Sequence, residues 1–174
     1  MKRIFGIFLV LGLCGGLLAQ SSDNHDVTIS IDDIAVCDLN NTTTVELDVQ
    51  APTNPGDPPV GETDNSKRLW YTVVSDGVTQ KEVTAQMDAG DATPAGTQLR
   101  LSTTPEASQG SGTSDVVLVA GSASDVITSI PSCYTGRTGS DGAVLTYEAY
   151  VNDATALVAG ASSTVTVTLT IQDE

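Results

Sequence analysis

Residues 164–171 leave the chain little choice of fold. Val165, Val167, Leu169 and Ile171 alternate with Thr164, Thr166, Thr168 and Thr170. A period of two places one kind of side chain on each face of an extended strand. This segment therefore reads as a β-strand with one apolar face and one threonine ladder. Its β-branched residues lose side-chain freedom in helices and pack well on a pleated surface. The same alternation recurs in Val27, Ile29 and Ile31, in Val45, Leu47 and Val49, and in Leu145, Tyr147, Ala149 and Val151. After Asp32-Asp33 the apolar parity shifts to Ile34 and Val36, which predicts a bulge or a change of sheet. Residues 69–75 are apolar on both parities, as in a central strand covered on both faces, with Trp70 in the core.

Breakers divide these runs. Asp76-Gly77 is a hairpin signal leading into a strand over residues 78–87, and Thr93-Pro94-Ala95-Gly96 is a turn into Leu99 and Leu101. Residues 51–67 hold Pro52, Pro55, Pro58, Pro59, Gly56 and Gly61 and read as a long exposed loop. Turn signals at this spacing predict an all-β chain, an antiparallel β-sandwich of about 8–10 strands.

Residues 1–19 read as a secretory signal peptide. Lys2 and Arg3 precede an apolar run that ends in Leu17-Leu18-Ala19 before Gln20. The run is short for a retained membrane span, so the mature chain is expected to be exported and to have none. The Leu11-Gly12-Leu13 that precedes Cys14 does not suit a lipoprotein cut. About 155 residues follow, enough for one core. The leader takes two of the seven basic residues and no acid, leaving 5 basic against 22 acidic residues, a formal charge of −17. That balance argues against nucleic acid or an anionic membrane as partner, since both require basic patches. It also makes identical copies repel unless specific contacts or cations offset the repulsion.

The catalytic inventory is sparse. The single histidine, His25, lies in a polar stretch before the first strand pattern, where a catalytic triad would lack fixed geometry. No glycine-rich phosphate loop or HExxH motif occurs, and no enzyme activity is expected. No cofactor is expected. Calcium is the most suitable metal for such loops, with Asp88 and Asp91, Asp57 with Glu62 and Asp64, or Asp141 near Asn152-Asp153 as oxygen donors. None of these matches a calcium-loop pattern, and a solvated acidic surface is the simpler reading. Cys37 and Cys133 are the two cysteines after the leader, and in an oxidising compartment they are expected to form a disulfide worth about 4–5 kcal/mol. Tyr134, beside Cys133 in a polar loop, is the aromatic best placed to meet a ligand, and Asn40-Asn41-Thr42-Thr43 holds two overlapping N-x-Thr sequons.

Residues 145–150, Leu-Thr-Tyr-Glu-Ala-Tyr, lead through Asn152-Asp153 to the threonine-ladder strand. With Thr93-Pro94-Ala95-Gly96-Thr97-Gln98-Leu99, this arrangement resembles small exported bacterial pilin-like subunits of the spore-coat-U and chaperone–usher fimbrial type. The Leu-Leu-Ala-Gln end of the leader resembles signals common in the Bacteroidetes. The resemblance implies an immunoglobulin-like β-sandwich and a cell-surface filament subunit that lacks one strand and accepts a neighbour's N-terminal segment in its place. The corresponding segment here is residues 20–36, with Val27, Ile29, Ile31 and Ile34 as assembly side chains, followed by a sandwich domain over residues 37–174. Pairing of the same segment within its own chain is the alternative at this stage. Assembly into a homopolymer is the expected partnership. The alternative function is a secreted adhesion or glycan-binding module that uses residues 51–67 and 132–142, with Tyr134 as its contact.

Overall fold

The computed structural model describes residues 26–174. The expected leader and His25 lie outside the described residues. The chain divides into residues 1–31 and residues 32–174. Of the first unit, residues 26–31 carry neither strand nor helix.

Apart from one short 3₁₀ turn, the regular secondary structure of the second unit consists of strands. In chain order these are β1 (Ile34–Leu39), β2 (Val49–Gln50), β3 (Val60–Gly61), β4 (Thr63–Val74), β5 (Lys81–Met87) and β6 (Thr97–Thr104). There follow β7 (Ser111–Gly112), β8 (Val116–Val117), β9 (Ser124–Ile130), β10 (Cys133–Tyr134), β11 (Ala143–Val151) and β12 (Val167–Asp173), with one 3₁₀ turn at Ala154–Ala156. One sheet runs β1-β4-β11-β6-β8, with β10 also beside β4; the second runs β12-β5-β9-β7; β2 and β3 form a small ribbon. Every pairing of named strands is antiparallel.

Alternation explains the core. Leu69, Tyr71 and Val73 of β4, Leu99 and Leu101 of β6, and Leu145 and Tyr147 of β11 point to one side of the first sheet. They join Val83, Ala85 and Met87 of β5 and Val126, Ile127 and Ile130 of β9 in a single apolar cluster. Each large side chain sealed there contributes about 1.5–3 kcal/mol. The fold is all-β and sandwich-like, with more strands than the sequence suggests because five of the twelve are two residues long.

Two buried lysines fix how the first strand enters and leaves. Lys81 opens β5, and its ammonium binds Asp33, just before β1, at 2.7 Å, and Asp173 at the end of β12. These hydrogen bonds, Asp173 first and then Asp33, hold the Lys81 pKa above its ordinary value. Lys67 of β4 is also buried but reaches no carboxylate. Its ammonium is surrounded by the Asn41 and Thr43 carbonyls, the Asn41 Oδ1 and the Thr43 hydroxyl. A buried cation needs such acceptors, so residues 41–43 fold around it.

The structure departs from several expectations. Trp70 is not in the core. It lies on the outer face of β4, half-buried, where its Nε1 donates to the Asp141 carbonyl at 3.1 Å. In β1 the inward residues are Ala35, Cys37 and Leu39, so Ile34 and Val36 face outward despite being the larger hydrocarbons. The breaker-rich segment ends earlier than expected, since β3 and β4 begin inside it. Conversely, residues 45–48 and 164–166 have strand patterning but no strand.

Two outcomes test these interactions. Lys67→Met leaves the Asn41 and Thr43 carbonyls without their donor and should cost about 1–3 kcal/mol in urea unfolding. The Lys81 contribution is fully present below the ordinary lysine pKa and is lost as pH rises through the raised one. The stability gap between wild type and Lys81→Gln should therefore be constant near neutrality and shrink in strongly alkaline buffer.

Candidate functional site

A groove of about 1170 Å³ runs along one side of the second unit. One wall is residues 41–51, which leave β1, and the other is residues 157–167, which lead into β12. Leu99, Tyr147 and Ala149 line it as well, with Pro94 of the preceding turn.

The first wall arises from a mismatch in register. Leu39 pairs with Leu69 and Val49 pairs with Gly61, so ten residue steps on one side match eight on the other. The two surplus residues push residues 41–48 away from β4, around Lys67. Val45 and Leu47 turn inward and are half-buried, while Thr44 and Glu46 face out. The second wall shows the same pattern, with Val165 half-buried between exposed Thr164 and Thr166. Thr166 N–H donates to the Asp91 carboxylate at 2.7 Å, which anchors the lower end of this wall.

Between their anchored ends both walls are unpaired. Among the described residues, the backbones of residues 44–47 and 162–165 make no hydrogen bond. Backbone N–H and C=O groups are obligatory hydrogen-bonding groups, so these two stretches are open edges available to another strand. Gly61 sets the rim. Its backbone lies so close to the Ala149 carbonyl that a Cβ there would sit 1.5 Å from the oxygen. Only glycine lets the β2–β3 ribbon lie against β11 at this point.

The sequence-predicted assembly residues divide into two groups. Val27, Ile29 and Ile31 are 71%, 83% and 79% exposed and belong to no strand. Ile34 begins β1 and pairs with Val74 of its own chain, and Val36 pairs with Thr72.

The expected disulfide is not formed: Cys37 and Cys133 are both free thiols. The reason is topological. Cys37 pairs with Tyr71 from one side of β4, and Cys133 pairs with Val73 from the other. A strand lies between them, and two strand spacings of about 4.8 Å exceed the reach of a disulfide. Burial raises both thiol pKa values.

Tyr134 is 76% exposed on β10. Next to this strand the Arg137 guanidinium stacks over the Trp70 ring, 4.9 Å from its centroid, and donates to Asp38 at 3.1 Å. This Arg–Trp pair was not expected from the sequence, although the inward pattern of Leu69, Tyr71 and Val73 already places Trp70 outward. On the same sheet face Arg100 stacks over Tyr150 at 3.2 Å.

The carboxylates considered for calcium are engaged locally. Asp64 accepts from the Ser66 hydroxyl and N–H, Asp141 from Thr138 N–H, and Asp153 from the Thr155 hydroxyl and N–H, and these bonds hold all three pKa values low. Asp88 accepts from Thr168, Asp57 from Asn54, and Glu62 from Asp48 N–H. Among the described residues no three His, Cys, Asp or Glu side chains converge on a metal position. No helix among them is long and apolar enough to cross a membrane.

The geometry predicts that amides of residues 44–47 and 162–165 exchange rapidly with deuterium in the monomer, while those of β4, β6 and β11 are protected. Mass spectrometry after alkylation of the denatured chain without reductant should find both Cys37 and Cys133 modified, and so unpaired. Comparison with protein families, with curated proteins and with solved structures finds no match to this chain.

Proposed function

We propose that the protein is a structural subunit of an extracellular filament, exported by its leader and assembled head-to-tail by β-strand addition. In this reading residues 27–31 of one copy enter the groove of the next. The observation that carries it is the groove itself, whose two walls are strand-patterned and have unpaired backbones. An inserted strand gains backbone hydrogen bonds from either wall and places alternate side chains against the apolar floor. Val27, Ile29 and Ile31 have that alternation and are exposed in the single chain. Ile34 is excluded from the donor, because it is already paired within its own chain. The contact joins unlike surfaces, so it propagates as an open chain rather than closing on a two-fold axis.

The test is the triple variant Val27→Asp, Ile29→Asp, Ile31→Asp, which leaves the second unit untouched. Electron microscopy of the secreted wild-type protein should show fibres, while the variant should elute as a folded monomer. Fibres of unchanged length and number from the variant would overturn strand addition. A wild type that stays monomeric at high concentration would overturn the filament reading as a whole.

A further inference from the structure

The described chain has five cations, Lys67, Arg68, Lys81, Arg100 and Arg137. The two lysines are buried. Arg68 and Arg100 project from the outer face of the β1-β4-β11-β6-β8 sheet, on the parity opposite to Leu69, Leu101 and Tyr71, and Arg137, in the loop after β10, reaches that face by stacking over Trp70. Among the described residues the aromatics that are not buried, Trp70, Tyr134 and Tyr150, lie on the same face. Arg137 covers Trp70 and Arg100 covers Tyr150. Arg68 and Arg100 form no ion pair among the described residues. The outer face of β12 and β5 is different in kind, carrying Thr168, Thr170, Gln172 and Glu82, without a cation or an aromatic ring.

We infer that this arginine-and-aromatic face is a contact surface for a second copy of the same chain, docking against that copy's acidic surface. The argument is charge complementarity. With 22 acidic residues in the chain, most of its surface repels an identical neighbour. Among the described residues every guanidinium lies on this face, beside two of its carboxylates, Asp38 paired with Arg137 and Glu148 opposite Arg100 on β11. Stacking on a ring holds a guanidinium in place, so less freedom is lost when it forks onto a carboxylate. Arginine, tryptophan and tyrosine are also the residues that most often dominate binding energy at protein interfaces. The outward Ile34 and Val36 on the neighbouring β1 extend the face with apolar area. The surface is separate from the groove, so it supplies a lateral contact between subunits and does not depend on strand addition.

The test compares two triple variants of the full mature chain by sedimentation equilibrium. Arg68→Gln, Arg100→Gln, Arg137→Gln removes the cations from this face. Val78→Glu, Ala123→Glu, Thr170→Glu makes the same three-unit change in net charge at exposed positions elsewhere. Both are made on the Val27→Asp, Ile29→Asp, Ile31→Asp background, so strand addition plays no part in the readout, and circular dichroism confirms that each folds. The expected result is self-association weakened about tenfold or more by the glutamine triple and changed far less by the glutamate triple. Equal weakening by the two triples reduces the effect to net charge and overturns the inference. So does a background protein that stays monomeric, including one that instead binds an acidic polysaccharide through these arginines. If the glutamine triple unfolds, Arg→Lys at the same three positions replaces it. That triple keeps the charge but loses the planar fork, and unchanged association would then overturn the role of the stacked guanidiniums.

Discussion

The ammonium of Lys67 is the contact on which the open side of the molecule depends. Residues 34–50 run antiparallel to residues 60–74, but with two residues too many. The surplus is gathered opposite Lys67, whose charge needs several oxygen acceptors once it leaves water. Asn41 and Thr43 provide them from main chain and side chain together. The polypeptide is thereby pushed off the sheet at residues 41–48, and a strand that its pattern would favour does not form. Lys81 has the complementary role at the other end, tying the entry to β1 to the last residues of β12. One lysine opens an edge and the other fastens the chain to both sheets.

Much of this fold was legible because strand alternation is a local property. Leu69, Tyr71 and Val73, or Leu145 and Tyr147, announce an inward face whatever they pack against. The departures occur where a distant partner decides. Ile34 and Val36 are greasier than Ala35 and Cys37, so the pattern favoured them for the interior. Pairing with β4 fixed the opposite parity. Trp70 looked internal because large aromatics usually are, yet it is neighbour in sequence to two inward residues and must point out. Its cover comes from Arg137, which lies 67 positions later and has no sequence signature pointing to it.

The two cysteines and the groove were hidden for the same reason. The expectation of export makes a disulfide the natural inference from two cysteines, but only the strand order reveals that β4 separates them. Residues 45–48 and 164–166 read as strand from alternation alone. Alternation reports which side chains suit a core and is silent on whether a neighbour exists to accept the backbone bonds. The sequence therefore conveyed the apolar lining of the groove while concealing that its walls are unpaired.

The open edges of the groove also bear on what the stability of this chain means. Apolar lining and open backbone edges gain free energy when occupied, and an occupant that binds only the folded state shifts the folding equilibrium by mass action. A melting temperature for such a chain is then not a single property of the sequence. Under the proposed strand addition it would rise with protein concentration, and at high dilution it would fall to the value of the open form.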